Sequence, residues 1–287
     1  MPRKLMHNEH SDHSVMANII CVLGATGKTG SGVVKELLAK TDVKIHVYVR
    51  SLGKLLALFP HLNSDDRVSI FEGSIRDAEL MTKCLSGTKT IIFTLGDNDN
   101  RPMTIIEDGA KTVLSALQTL SESSKSQPWT VPRLILLSSS TWNPRFAAAR
   151  PALVHWAIKT AFTQPYDDLR RGTALFMGSP ALCRPLLVQP GALMQDNPSG
   201  HEISTESVRL TATYADLAAA FVELATEPAY DDLTAVGVSS KHGDNPLKYG
   251  PLMGYWIIKG LCAQFIPGFW PVHDSVTAFT AWLIGHK

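Results

Sequence analysis

The chain of 287 residues is 45% hydrophobic and 18% charged, so it can bury a substantial core and does not have the composition of a disordered protein. Its 27 basic and 26 acidic residues nearly balance, and the absence of a basic stripe interleaved with aromatic residues argues against a nucleic-acid partner. The four cysteines form no CxxC pair, which argues against disulfides and a zinc site. His7, His10 and His13 recur every third residue and could hold a metal, but the pattern favours a solvated histidine-rich tail, and the later histidines have no metal-ligand spacing.

The beginning of the chain bears on its expected location and domain organisation. Residues 1–16 are polar and lack the apolar run of a secretory signal peptide, so they are expected to form a flexible tail on a cytoplasmic protein. Residues 17–287 contain no recognisable linker or internal repeat and are predicted to form a single domain. Within it, 141–180 and 190–287 are expected to form the part that covers the substrate.

Short apolar runs and helical apolar spacings alternate along most of the chain. The run at 18–23 stops at Gly24, as a buried parallel strand does, and 30–40 follows with apolar residues at helical spacing. Further strands are predicted at 44–49, 68–71, 90–95, 133–137, 181–188 and 235–238. Further helices are predicted around Leu55 to Leu58 and at 77–85, 103–120, 147–176 and 214–225. This alternation predicts a doubly wound α/β fold, with helices on both faces of a mostly parallel sheet.

The turn between the first strand and the first helix has the sequence GATGKTG, which fits GxxGxxG. Its glycines allow a tight turn and a close approach to a pyrophosphate, whose charge is met by N–H groups at the helix N-terminus. A glycine triplet alone also fits an ordinary strand-to-helix turn, but the flanking strand and helix favour a dinucleotide site. The predicted cofactor contacts in this turn are Gly24, Thr26, Gly27, Lys28, Thr29 and Gly30.

The residue that ends the second strand indicates which nicotinamide dinucleotide is bound. A carboxylate at this position binds the ribose 2′-hydroxyl of NAD, whereas a cation accommodates the 2′-phosphate of NADP. Arg50 stands there, Lys54 follows, and Lys28 adds a positive charge in the glycine loop. The pattern favours NADP, and the alternative interpretation of Arg50 is a solvated strand end.

Short motifs also follow two of the later strands. The sequence GSIRD at 73–77 follows the third strand, and SSS at 138–140 follows the fifth. Together with GATGKTG and Arg50, these motifs resemble those of atypical short-chain dehydrogenases/reductases of the NmrA-like or isoflavone-reductase-like kind. The resemblance implies a Rossmann domain that binds NADP, with Ser74, Ile75 and Asp77 around the adenine and Ser138 as a further cofactor contact.

The resemblance also implies a catalytic serine, tyrosine and lysine. In active members of this family the serine polarises the substrate oxygen, the tyrosine acts as the acid, and a lysine four residues later lowers the tyrosine pKa and holds the ribose. Ser140 and Tyr166 have a matching separation, but Arg170 stands where the lysine is expected. Lys159 is an alternative source of that charge if the helix register differs. The structural interpretation is that Tyr166 is a partly buried aromatic residue and that Arg170 pairs with Asp167.

His155 and the apolar C-terminal segment are the remaining candidate regions. His155 falls in the part of the chain that, by resemblance, approaches the nicotinamide and the substrate, so it is a candidate acid or base. The segment 251–270 is apolar and aromatic, but Lys259 and two prolines interrupt it, which argues against a membrane-spanning helix. We expect this segment to pack against the core or to act as a lid, and the sequence leaves a homodimer open.

These observations support one leading hypothesis and two alternatives. The first is an NADP-dependent reductase that acts on a small, largely apolar carbonyl compound. The resemblance implies stand-alone fungal enzymes of this kind, whose substrates are intermediates of specialised metabolism. The missing lysine leaves open a non-redox isomerase, cyclase or dehydratase on the same scaffold. The third hypothesis is a redox sensor of the NmrA type, which binds the cofactor tightly without turnover.

Overall fold

The computed structural model describes residues 18–124 and 128–285, and the expected tail at 1–16 lies outside these described residues. The strands are β1 (Ile19–Leu23), β2 (Lys44–Val49), β3 (Val68–Glu72), β4 (Thr88–Phe93), β5 (Arg133–Leu137), β6 (Arg184–Val188), β7 (Ala192–Met194), β8 (His201–Ser204), β9 (Thr211–Thr213) and β10 (Ala235–Ser240). The α-helices are α1 (Lys28–Lys40), α2 (Leu52–Leu58), α3 (Ala78–Leu85), α4 (Ile105–Ser123), α5 (Pro144–Ala147), α6 (Ala152–Ala161), α7 (Thr163–Met177), α8 (Tyr214–Thr226), α9 (Pro246–Phe265) and α10 (Phe269–Gly285).

An eight-stranded sheet forms the centre of the fold, in the order β3-β2-β1-β4-β5-β6-β10-β8. The strands from β3 to β10 in this order pair in parallel, and β8 runs antiparallel beside β10. The chain proceeds outward from β1 to β3 on one side and from β4 onward on the other. The sheet therefore has a topological switch point between β1 and β4, where ligands bind outside the carboxyl ends of the strands. The predicted doubly wound α/β fold is confirmed.

β1 lies inside the sheet, between β2 and β4, and both of its faces are covered by helices. Ile20 and Val22 are fully buried among apolar residues of α1 and α8. Cys21 and Leu23 are fully buried on the opposite face, among residues of α3 and α4. Successive side chains of a strand point to opposite faces, so an uninterrupted apolar run is what a strand between two helical layers requires.

α7 is fixed against the beginning of α4 by a buried carboxylate. Asp168 is fully buried, and its two oxygens accept hydrogen bonds from the backbone N–H groups of Ile106 (2.9 Å) and Glu107 (3.0 Å). Thr104, the N-cap residue of α4, makes no side-chain cap bond, so Asp168 supplies the cap from another helix. A Cβ on Gly172 would lie 2.6 Å from Ile106 Cγ2, and the two helices can approach this closely because glycine stands there.

The predicted single helix at 147–176 is wrong, because the chain forms two helices, α6 and α7, with a break at Phe162. Phe162 has φ −120° and ψ 32°, which are not helical values. Pro165 accounts for the new start, because proline has no backbone N–H and is tolerated in the first turn of a helix but not in its interior. The predicted strand at 181–188 is shorter, because Cys183 donates its N–H to the Ser179 carbonyl in a turn before β6.

The C-terminal part contains elements that the sequence analysis did not predict, namely β7, β8, β9, α9 and α10. α9 packs closely on α6, since a Cβ on Gly260 would lie 2.1 Å from the carbonyl oxygen of Ala161. The segment 251–270 contains most of α9, a turn at Gly268 with φ 75°, and the first residues of α10. Among the residues that the structure describes, none of the helices has the length and hydropathy that crossing a membrane requires.

Replacing Asp168 with alanine should lower the free energy of unfolding by about 2 kcal/mol, because two backbone N–H groups at the start of α4 lose their acceptor. Equilibrium denaturation in urea measures this change. Asp167→Ala is the matched control, since this neighbouring carboxylate is partly exposed and pairs with Arg170 at 3.7 Å. This control substitution should lower the free energy of unfolding by less than about 0.5 kcal/mol. Equal losses in the two variants would contradict a capping role for Asp168.

Candidate functional site

The turn after β1 is closed by glycines that leave no room for a side chain. Gly24 has φ 93°, and a Cβ there would lie 2.8 Å from Thr94 Oγ1 and 2.9 Å from the Thr94 backbone. A Cβ on Gly30 would lie 2.2 Å from the carbonyl oxygen of Gly24. The same carbonyl accepts a hydrogen bond from the N–H of Gly27 at 2.9 Å. The turn therefore has the tight geometry that lets a backbone approach a phosphate group.

The N-terminus of α1 follows this turn without a side-chain cap. Gly27 is the N-cap residue, so the first N–H groups of the helix have no intrahelical acceptor and are available to an anion. Thr26 is half-buried, Thr29 is buried, and Lys28 is exposed with its Nζ 5.2 Å from the centroid of the Tyr214 ring. A backbone cradle at a helix N-terminus, with a lysine beside it, fits the pyrophosphate of a dinucleotide.

Arg50 directly follows β2, and its side chain is exposed and makes no ion pair within residues 18–124 and 128–285. Glu72, a carboxylate that the sequence pattern did not indicate, lies at the same edge of the sheet. The register pairs Val49 with Glu72, the last residue of β3. Glu72 Oε1 accepts a hydrogen bond from the N–H of Leu52 at 2.7 Å, at the beginning of α2. The adenosine end of the candidate site therefore has a free cation and a carboxylate that is already hydrogen-bonded.

Ser74 and Ile75 lie just after β3 at this carboxyl edge. The hydroxyl of Tyr48 donates a hydrogen bond to the carbonyl oxygen of Ser74 at 2.7 Å. Burial, with smaller contributions from Asp77 and Cys84, raises the pKa of Tyr48 to about 12, so the phenol remains a donor at neutral pH. The Ser74 side chain is exposed and Ile75 is half-buried. Their contact with an adenine stays a prediction.

Tyr166, near the beginning of α7, lies against the segment that follows β5. Its hydroxyl is 3.3 Å from Ser139 Oγ and 3.2 Å from Thr141 Oγ1, both within hydrogen-bond range. The ring packs edge-on to Trp142, with centroids 5.7 Å apart, and against Phe162 at 5.9 Å. The side chain is half-buried, and two neighbouring hydroxyls hold its oxygen. A phenol held in this way is suited to donate a proton at a defined place.

The structure thus gives Tyr166 two hydroxyl partners on either side of Ser140, the residue that the sequence analysis paired with it. Ser139 caps a 3-10 turn formed by Ser140–Trp142, and its Oγ accepts a hydrogen bond from the Thr141 N–H at 3.3 Å, which places these two residues side by side. Ser140 is 1% exposed, and its N–H donates to the Pro190 carbonyl at 3.1 Å. Ser138 is bonded to the next strand, its N–H donating to the Val188 carbonyl at 2.7 Å. The proposed roles of Ser138 and Ser140 stay predictions.

The two cations that the sequence analysis considered as replacements for the lysine both lie on Trp142. Lys159 Nζ is 4.4 Å from the Trp142 ring centroid, and the Arg170 guanidinium is 5.0 Å from it. The Arg170 side chain is 61% exposed and lies 3.7 Å from Asp167. Among the residues that the structure describes, neither cation is hydrogen-bonded to Tyr166.

Arg150 and His155 also lie in this region. Arg150 Nη1 donates a hydrogen bond to Thr141 Oγ1 at 3.2 Å, and no periodicity or spacing in the sequence pointed to this arginine. His155 is half-buried, and its Nδ1 is buried without a hydrogen-bond partner among the described residues. Burial, followed by the positive charges of Arg150 and Lys159, lowers the pKa of His155, so the neutral imidazole is favoured. The predicted acid or base role of His155 stays a prediction.

A cavity of about 660 Å³ lies between α7 and the carboxyl ends of β5 and β6. Its walls are formed by Ser138, Trp142, Asp167, Leu169, Arg170, Arg171, Thr173, Ala174, Leu187 and Gln189. Trp142 belongs both to this wall and to the packing around Tyr166. Across the described ranges, 18–124 and 128–285, no three His, Cys, Asp or Glu side chains lie together as a metal site would require. The cavity has the volume of a small-molecule site.

Comparison with known proteins identifies the relatives of this chain. The sequence pattern of the NAD(P)H-binding family matches residues 24–228. The chain is 33% identical over 252 residues to oxidoreductase tpcG of Aspergillus fumigatus, covering 87% of this chain and 94% of that protein. It is 34% identical over 253 residues to oxidoreductase nsrR of Aspergillus novofumigatus, again covering 87% of this chain and 94% of the relative.

The fold is similar to that of solved dinucleotide-binding proteins. A crystal structure of a short-chain dehydrogenase/reductase from Veillonella parvula, in complex with NADP, superposes with a TM-score of 0.62 at 16% identity. The match covers 80% of this chain and 97% of that one. At this identity the similarity shows a common fold.

Replacing Gly30 with alanine should weaken NADPH binding at least about tenfold, because the new Cβ would push α1 away from the Gly24 carbonyl and displace the phosphate cradle. Isothermal titration calorimetry measures the dissociation constant. Gly254→Ala is the control, since a Cβ at this helical glycine of α9 meets no atom within 4 Å. It should leave binding unchanged. If Gly30→Ala binds NADPH as tightly as the unmodified protein does, the cradle is not the cofactor site.

Proposed function

The chain belongs to the NAD(P)H-binding Rossmann family, among the NmrA-like or atypical short-chain dehydrogenases/reductases, and from this premise we propose that it is an NADP-dependent oxidoreductase that reduces a small, largely apolar carbonyl compound. The observation that carries the proposal is the hydroxyl of Tyr166, held by Ser139 and Thr141. These residues follow β5 and the glycine turn follows β1. Both therefore lie at the carboxyl edge of one parallel sheet, where cofactor and substrate would meet.

The glycine turn supports the assignment of a nicotinamide dinucleotide. The uncapped amides of α1 would hold the pyrophosphate, and Lys28 would add a positive charge beside it. The exposed side chains of Arg50 and Lys54 would accommodate the 2′-phosphate of NADP. Glu72 is the group that would favour NAD, because a carboxylate can accept from the ribose 2′-hydroxyl. One of its oxygens already accepts the Leu52 N–H, whereas both cations are exposed, and we therefore choose NADP.

The proposed mechanism assigns the proton to Tyr166. When bound, NADPH supplies a hydride to the carbonyl carbon of the substrate. The Tyr166 hydroxyl donates its proton to the carbonyl oxygen, so that the carbonyl becomes an alcohol and the phenol becomes a phenolate. Ser139 and Thr141 hold the tyrosine oxygen in position and hydrogen-bond the phenolate. Solvent then returns a proton to Tyr166.

The surroundings of Tyr166 support a small and largely apolar substrate. Trp142 and Phe162 flank its ring, and Trp142 also borders the cavity of about 660 Å³. Leu169 and Leu187 add apolar surface to this cavity. Asp167, Arg170 and Arg171 also line this cavity, so polar groups that could orient a substrate lie beside the apolar surface. Two of the relatives are fungal proteins named oxidoreductases, which supports a redox reaction. The proposed substrate, an intermediate of fungal specialised metabolism, rests on the family resemblance.

Incubation of the protein with NADPH and a panel of apolar ketones tests the reaction directly. The proposal expects loss of the reduced nicotinamide absorbance together with formation of the alcohol. A product that forms equally well without NADPH would indicate a non-redox isomerase, cyclase or dehydratase. Tight NADPH binding without any turnover would instead indicate a cofactor-binding sensor.

Replacing Arg50 with alanine should weaken NADP binding about tenfold or more, with less than about a twofold change for NAD, because only NADP carries the 2′-phosphate. Calorimetric titration with both dinucleotides measures the two constants. Lys35→Ala removes an equal charge from the exposed side of α1 and should change neither. An equal loss for NAD and NADP in Arg50→Ala would argue against recognition of the 2′-phosphate.

Replacing Tyr166 with phenylalanine should lower kcat about a hundredfold or more while the Kd for NADPH stays within about twofold, because only the proton donor is lost. Steady-state turnover and cofactor titration measure these constants. Tyr255→Phe is the matched control, since Tyr255 is 56% exposed on α9 and should behave as the unmodified protein does. Unchanged turnover in Tyr166→Phe would remove Tyr166 from the mechanism.

A further inference from the structure

Arg150, in the segment between α5 and α6, is a half-buried cation without a carboxylate partner within the described ranges of the chain. Its Nη1 donates a hydrogen bond to Thr141 Oγ1 at 3.2 Å. Burial lowers the pKa of this guanidinium, and the neighbouring Tyr166 phenol acts in the opposite direction. A cation that is withdrawn from water without a paired anion costs free energy, so its position calls for a compensating interaction.

Thr141 connects this cation to the tyrosine. A threonine hydroxyl has one proton to donate and lone pairs that can accept. Because Arg150 donates to Thr141 Oγ1, the hydroxyl proton is free to point to the Tyr166 oxygen, 3.2 Å away. A neutral phenol can donate or accept, whereas a phenolate only accepts. A Tyr166 oxygen that accepts from Thr141 therefore keeps this hydrogen bond after it has given up its own proton.

The other charged groups around Tyr166 are engaged elsewhere. On α6, Lys159 lies over the Trp142 ring, and His155 is a group whose neutral form is favoured. On α7, Arg170 is mostly exposed and lies beside Asp167, so these two charges largely balance. Among the described residues, Arg150 is the cation that is hydrogen-bonded to a partner of the Tyr166 hydroxyl.

We propose that Arg150 is the positioning cation of this site, acting through the Thr141 hydroxyl to stabilise the Tyr166 phenolate. The inference rests on the proposed function, in which Tyr166 is the acid. The O–H bond of Tyr166 breaks as its proton passes to the carbonyl oxygen, the hydride of NADPH forms the new C–H bond, and NADPH is oxidised. The phenolate remains until it takes a proton from solvent, and during that interval the charge of Arg150 stabilises it.

Arginine differs from the lysine that the family uses in ways that suit this position. Its guanidinium is planar and carries several N–H donors in a fixed geometry, so one of them can bond Thr141. Lysine would present a compact ammonium on a flexible stem. A lysine at position 150 should therefore keep the charge but only part of the geometry, which makes Arg150→Lys an informative partial rescue beside Arg150→Met.

The test uses Arg150→Met and Arg150→Lys, each made with Tyr166 and again with Tyr166→Phe. For each residue at position 150, tyrosinate absorbance is recorded over an alkaline pH titration with Tyr166 present and with Tyr166→Phe. The difference between the two titrations isolates the ionisation of Tyr166 and requires no turnover. The midpoint of this ionisation should rise by about one pH unit or more in Arg150→Met, and by less than half of that in Arg150→Lys. The pH profile of turnover should shift in the same direction. Arg184→Met removes an exposed arginine at the amino end of β6 and should change neither the ionisation midpoint of Tyr166 nor the pH profile of turnover.

An unchanged midpoint in Arg150→Met would overturn the proposal, and so would an equal rise in Arg184→Met. A midpoint that instead rises in Arg170→Met would assign the role to the residue at the family's lysine position. If the midpoint rises in Arg150→Met but Tyr166→Phe keeps full turnover, the proposed reductase mechanism is wrong while the electrostatic link stands. Circular dichroism shows whether each variant has folded. If Arg150→Met has not folded, the ionisation midpoint of Tyr166 in Arg150→Lys is compared with that of the unmodified protein instead.

Discussion

The contact between Gly24 and Gly30 fixes where α1 begins relative to β1. A Cβ on Gly30 would lie 2.2 Å from the Gly24 carbonyl oxygen, and Gly24 itself has φ 93°, so both positions require glycine. Thr94 closes the turn from the neighbouring strand, since its N–H and hydroxyl both donate to the Leu23 carbonyl at 2.9 Å. This contact lies at the switch point of the sheet and leaves the amides of α1 open to a phosphate. The cofactor end of the site depends on it.

The chemical end of the site depends on how α7 is held. Asp168 caps α4 from α7, and Gly172 lets the two helices touch, so Tyr166 is held two residues from a fully buried anchor. Ser139 and Thr141 reach the tyrosine because they continue β5 beyond its carboxyl end. Backbone packing thus brings the Tyr166 hydroxyl, our proposed proton donor, to the edge of the sheet that carries the glycine turn. In our proposal, Arg150 in the loop before α6 supplies the positive charge beside it.

The sequence predicted the parts of the molecule that local patterns determine. The buried strands appear as apolar runs, and the glycine turn and Arg50 follow them directly. Pro165 indicates the start of α7, yet the apolar spacing on both sides of Phe162 hid the break. Glu72 comes to the cofactor site through the pairing of β2 with β3, which a linear reading does not give. Ser139 and Thr141 contact Tyr166, and Arg150 contacts Thr141, through tertiary packing. The SSS motif indicated this region, but nothing in the sequence showed which hydroxyls meet the tyrosine or that Arg150 lies beside them.

We propose that the glycine turn and Tyr166 serve one site. A crystal structure with bound NADP measures this directly. In such a structure the pyrophosphate should lie on the first amides of α1, and the nicotinamide C4 should lie within about 5 Å of the Tyr166 hydroxyl, close enough for one carbonyl group to reach both. A nicotinamide that lies more than about 10 Å from Tyr166, with the cofactor fully ordered on the turn, would contradict it.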